Sequence, residues 1–67
     1  MNISINGNTK QFDGENMTLS DLIVTLNLVD KRLAIEKNGE IVPRSQFDAA
    51  ILNDGDNLEI VGAVGGG

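Results

Sequence analysis

Thr18-Leu19-Ser20-Asp21-Leu22-Ile23-Val24-Thr25-Leu26 is the stretch on which the fold reading turns. Thr18 with Asp21 three residues on has the pattern of a capping box, in which hydroxyl and carboxylate each satisfy a free N–H of the first helical turn. Leu19, Leu22, Ile23 and Leu26 then fall at i, i+3, i+4 and i+7, one apolar stripe, while Ser20, Asp21 and Thr25 face water. A single amphipathic helix is expected here, and it needs a sheet to cover.

Strand patterns lie on both sides of it. Upstream, Met1, Ile3 and Ile5 alternate with Asn2, Ser4 and Asn6, the period-2 pattern of a half-buried strand. Asn6-Gly7-Asn8 tolerates positive φ and turns the chain into a second strand over Thr9 to Phe12, followed by a loop from Asp13 to Asn16. Downstream of the charged connection Asp30-Lys31-Arg32, the residues Leu33 to Lys37 put Leu33 and Ile35 on one face and Ala34 and Glu36 on the other. Asn38-Gly39 turns that strand into Glu40-Ile41-Val42, which Pro43 ends because it has no N–H to give. One helical turn is expected over Ser45 to Phe47, then a turn at Asn53-Asp54-Gly55-Asp56. The last strand, Asn57-Leu58-Glu59-Ile60-Val61, continues through Gly62-Ala63-Val64 into Gly65-Gly66-Gly67.

The order ββαβββ describes an α+β domain of the ubiquitin-like β-grasp class. It has a mixed sheet of about five strands, the final strand parallel to the first, and one helix packed across one face. The expected organisation is a single β-grasp domain over 1–64 and a flexible C-terminal glycine tail over 65–67.

A chain of 67 residues buries only about 60% of the surface its unfolded form exposes, which leaves no room for an enclosed active site. It contains no Cys and no His, so it offers no disulfide, no thiolate or imidazole metal ligand and no side chain to hold a persulfide. Any sulfur chemistry must use the backbone. The net charge of −5 argues against nucleic acid and anionic membranes and is compatible with a basic protein partner. With no charged-then-apolar leader and no apolar run near the roughly 20 residues that span a bilayer, a cytosolic location is expected.

Chemistry is expected at the end of the chain. Three glycines directly after a strand present the α-carboxylate of Gly67, which is ionised at neutral pH and can attack the α-phosphorus of ATP held by a partner enzyme. AMP can then leave the acyl adenylate where oxide could not leave the acid, and a sulfur nucleophile would yield a C-terminal thiocarboxylate. Gly65 and Gly66, lacking Cβ atoms, could thread a narrow channel. Ordering each glycine costs on the order of 1–2 kcal/mol, so the folded body must supply docking contacts. If Ile3, Ile5, Leu33, Ile35, Leu58 and Ile60 face the helix, then Ala34, Val61 and Ala63 remain on the open face as a docking patch, with Glu59 at its edge.

Two stretches, Asn38-Gly39-Glu40-Ile41-Val42-Pro43-Arg44 and Glu59-Ile60-Val61-Gly62-Ala63-Val64-Gly65-Gly66-Gly67, carry a resemblance that covers essentially the whole chain. Together with the length, the strand order and the Asp54-Gly55-Asp56 turn, they resemble the ThiS sulfur carriers of thiamin biosynthesis, relatives of ubiquitin and of the molybdopterin synthase carrier subunit. Gly66 and Gly67 match that family's paired terminal glycines. The resemblance implies adenylation of Gly67 by an E1-like ThiF enzyme that uses ATP, and sulfur transfer from a donor such as a cysteine desulfurase. Delivery to the thiazole synthase ThiG follows, with no cofactor bound by the chain itself and no catalysis of its own.

Two further readings stand beside this one: a molybdopterin-type carrier, which is typically longer, and an unmodified β-grasp interaction module. The acidic run Asn53 to Asn57 lacks the spaced ligands and closing Glu of a calcium loop and reads as a turn. Lys31, Arg32 and Arg44 read as balancing charges, and Phe12 and Phe47 as core.

Overall fold

Both hairpins are closed by an Asn-Gly pair. Asn6 and Gly7 have φ of 50° and 85°, and Asn38 and Gly39 have 53° and 87°. Such left-handed pairs twist a two-residue loop in the same sense as its flanking strands, which favours Asn and Gly there. The computed structural model describes residues 1–62. In it the first loop joins β1 (Asn2–Ile5) to β2 (Asn8–Gln11), and the second joins β3 (Leu33–Lys37) to β4 (Glu40–Val42). The helix α1 (Leu19–Thr25) lies between the hairpins in sequence, and a 3₁₀ turn (Arg44–Gln46) precedes β5 (Asn57–Gly62).

The five strands form one sheet in the order β2-β1-β5-β3-β4. The central strand is β5, parallel to β1 and antiparallel to β3. A β-grasp results, as expected. Some boundaries differ: the second strand spans Asn8–Gln11 rather than Thr9 to Phe12, and the short helical turn starts one residue earlier, at Arg44. Phe12 lies just past β2 but still exchanges backbone hydrogen bonds with Met1, at 2.8 and 2.7 Å, and its side chain is buried, as is that of Phe47. The domain boundary drawn at residue 64 lies outside the described residues, as do Ala63 and Gly65 to Gly67.

The core joins the helix to one face of the sheet. Ile3, Leu19, Leu22, Ile35 and Leu58 are wholly buried, and Ile5, Ile60 and Leu52 nearly so. Met1, Met17, Ile23, Leu26 and Leu33 are partly buried against them. Thr18 accepts the N–H of Asp21, and Asp21 accepts the N–H of Thr18, so the capping box is complete. Sequence reasoning missed Leu52, which enters the core from the irregular segment after the 3₁₀ turn. That segment is tied to the helix start by Leu19 N–H to Ala50 O at 3.0 Å and Leu52 N–H to Met17 O at 2.8 Å.

The acidic turn before β5 is held by hydrogen bonds to other parts of the chain. Asp54 Oδ1 accepts the N–H of Asn2 at 2.6 Å. The Asp56 carboxylate, almost fully buried, accepts Asn38 Nδ2 at 3.0 Å and the N–H of Asn53 at 2.8 Å. Asn38 Oδ1 in turn accepts the N–H of Asn57 at 2.9 Å. One buried carboxylate thus ties the β3–β4 turn to the entry of the central strand, and burial without such partners would be costly.

Candidate functional site

The side of the sheet away from the helix follows from the pleat. Because alternate residues point to opposite faces, burial of Leu58 and Ile60 on β5 leaves Glu59 and Val61 on the open face. Burial of Ile35 on β3 likewise leaves Ala34 and Glu36 there. The register of β3 and β5 sets Ala34 opposite Val61 and Glu36 opposite Glu59. Three of the four expected patch residues, Ala34, Glu59 and Val61, are therefore together and exposed. The fourth, Ala63, lies outside the described residues.

Ile41 belongs with them and was not anticipated. On β4 it stands opposite Glu36, it is 75% exposed, and it lines one depression together with Ala34, Glu36, Glu59 and Val61. Val61 is itself 57% exposed. The available signal was Val42: once its pairing with buried Ile35 is known, alternation turns Ile41 outward. The β5–β3–β4 half of this face thus combines three apolar side chains with two carboxylates opposite one another. Like charges in that position repel, and a cation from a partner would relieve the repulsion.

The other half of the face differs. Ser4 stands opposite Asn57 and Thr9 opposite Ser4, giving a polar surface over β2 and β1. On the helix side, Leu26, Leu28, Lys31, Arg32 and Leu33 line a groove that reaches Gly62. The sequence reading of Lys31 and Arg32 as balancing charges did not anticipate that the fold sets both beside the point where the chain passes into 63–67. Arg44 approaches the same loop, its guanidinium 3.4 Å from the Lys31 carbonyl.

Among the described residues no cluster of three or more acidic, His or Cys side chains could hold a metal ion. No helix of the described residues is long and apolar enough to cross a membrane. The expected reacting and threading residues, Gly67, Gly66 and Gly65, lie outside the described residues. The described part of the central strand runs to Gly62, which pairs with Leu33.

Comparison with known proteins adds four findings. The model of the ThiS family matches residues 3–67. The chain is 42% identical over 67 residues to a thiazole synthase of Paramagnetospirillum magneticum, matching all of this chain but only 20% of that protein. It is 32% identical over 65 residues to the sulfur carrier protein ThiS of Bacillus subtilis, covering 97% of this chain and 98% of that one. Among solved structures, a thiamine biosynthesis protein (ThiS) from Geobacter metallireducens superposes with a TM-score of 0.86 at 33% identity, over 100% of both chains.

Proposed function

The chain belongs to the ThiS family, and from that premise we propose that it is a cytosolic sulfur carrier for thiazole formation in thiamin biosynthesis, loaded at Gly67. An oxygen of the Gly67 carboxylate attacks the α-phosphorus of ATP on an E1-like adenylating enzyme, and pyrophosphate leaves. The outer sulfur of a persulfide on a donor such as a cysteine desulfurase then adds to the acyl carbon and AMP leaves. A second thiol of the donor system cleaves the S–S bond of that acyl disulfide, forming a disulfide and releasing the acyl sulfur as thiolate. The product is a thiocarboxylate, which passes its sulfur to a thiazole synthase. The chain contributes no acid, base or metal of its own to these steps; it presents the carboxylate and docks.

The family match running unbroken through Gly65, Gly66 and Gly67 to residue 67 carries this reading. A thiazole synthase that contains a region similar to the whole of this chain favours thiazole over molybdopterin as the destination. The test is intact-protein mass spectrometry after incubation with an adenylating enzyme, ATP and a sulfur donor. A gain equal to the difference between one sulfur and one oxygen, mapped to Gly67, is expected. No gain would leave an unmodified binding module as the better account.

Docking is assigned to the open face, through Ala34, Val61 and Ile41, with Glu59 and Glu36 receiving a basic group of the partner. Ile41→Asp places a third carboxylate beside two others at an exposed edge-strand position. It is expected to weaken binding to the adenylating enzyme by about tenfold or more, the scale of losing one well-packed interface residue. Thermal stability should stay near that of the parent, because exposed substitutions usually move it by no more than about 0.5 kcal/mol. Titration calorimetry showing unchanged affinity would move the docking surface elsewhere.

A further inference from the structure

The parallel ladder between β1 and β5 advances two residues at a time. Ser4 N–H donates to the Asp56 carbonyl at 3.0 Å and Asn6 N–H to the Leu58 carbonyl at 2.9 Å. Continued, the pattern would pair the N–H of Ile60 with the carbonyl of Asn6, and the carbonyl of Ile60 with the N–H of residue 8. The backbone cannot supply that rung, because the positive φ of Asn6 and Gly7 has already turned the chain away into β2.

The side chain of Asn6 supplies it instead. Its Oδ1 accepts the N–H of Ile60 at 2.8 Å, and its Nδ2 donates to the carbonyl of Ile60 at 2.9 Å. A carboxamide has the donor and acceptor of a peptide group, so one side chain stands in for the missing strand residue. Few residues can do this and also hold a left-handed φ. Gly accepts the φ and lacks the amide, Asp accepts it and lacks the donor, and Gln reaches one carbon too far.

This rung is the last that the described residues place on the β1 flank of β5, two residues before Gly62. On the opposite flank the last pairing is Gly62 with Leu33. We propose that Asn6 is a positioning residue: its carboxamide clamps the end of the central strand, so that residues 63–67 depart from a fixed point and direction when they are threaded into the adenylating enzyme. The inference rests on the carrier reading above. It concerns a different property of the molecule, the anchoring of the strand end.

Asn6→Gly keeps the turn conformation and removes the clamp, while leaving the open docking face unchanged. At saturating carrier, kcat for adenylation is expected to fall roughly tenfold, about 1.4 kcal/mol, with KM within about twofold of the parent. This is less than the ~100-fold that a 1 Å misplacement can cost at a rigid reacting centre, because five residues separate Gly62 from the acid. Hydrogen exchange at the Ile60 amide should accelerate relative to that of Ile3 and Ile35. Asn6→Asp, which keeps the acceptor but sets a carboxylate oxygen against the Ile60 carbonyl, should be no better than Asn6→Gly.

Unchanged kcat, a rise in KM alone, or a loss that merely tracks global stability would overturn the positioning role. Unaltered exchange at Ile60 in both variants would refute the clamp itself. A parent protein that is never adenylated defeats the carrier reading, and the transfer half of this inference with it. The exchange result still decides whether Asn6 anchors the strand.

Discussion

Deletion of Gly67, or fusion of a tag after it, abolishes sulfur loading while the far-UV circular dichroism stays that of the parent. The expected loss is complete because the chain has no Cys to take sulfur in its place. Shortening by one residue also leaves the new terminal carboxylate about 3.5 Å of chain short of the reacting position. The fold should be indifferent, since every core side chain and every strand pairing described lies within residues 1–62. Intact mass after the adenylation reaction, with circular dichroism on the same sample, decides the matter. A mass gain that survives the deletion would mean that sulfur enters elsewhere.

Leu58→Ala is expected to cost about 3–4 kcal/mol, measured by urea denaturation. Leu58 is wholly buried on the central strand, where the two neighbouring strands and the helix close around it and little collapse into the cavity is possible. A domain of this length has a total stability of about 3–10 kcal/mol, so the substitution removes a third of it or more. No disulfide is present to hold the remainder together. A change below about 1 kcal/mol would show that the core is not organised around β5.

The two effects differ in kind, and the contrast bears on engineering. The body can be stabilised or weakened without touching the reacting end, provided that β5 still closes at Gly62. Conversely, a C-terminal affinity tag would leave a folded but chemically silent protein. Tags belong at the other end, although the Met1 amino group donates to the Phe12 carbonyl at 2.7 Å and an extension there must accommodate that contact.

Local rules made much of the fold legible. The Asn-Gly pairs named both hairpin turns because few other residues accept two successive positive φ values. The Thr18 and Asp21 pair named the helix start because its hydrogen bonds span only three residues. The buried faces of β1, β3 and β5 followed from period-2 alternation, and with them Ala34, Glu59 and Val61 on the open face. Leu52 was hidden because it lies in an irregular segment with no period to read. Ile41 was hidden because a three-residue strand alternates too briefly to declare its face. Asp56 read only as a turn residue, since nothing local reveals that its carboxylate is nearly buried under a turn 18 residues earlier.

By itself, then, the sequence determined the elements, their order and the glycine-terminated end, since each of these depends on contacts within a few residues. The tertiary structure alone decided that Glu36 faces Glu59, that Ile41 completes their surface, and that Lys31 and Arg32 stand beside Gly62. It also decided that Asn6 holds Ile60 across 54 positions of chain. Such pairings depend on the register between strands that are distant in sequence. That register is set by the packing of Ile3, Ile35 and Leu58 beneath the helix, and no local pattern encodes it.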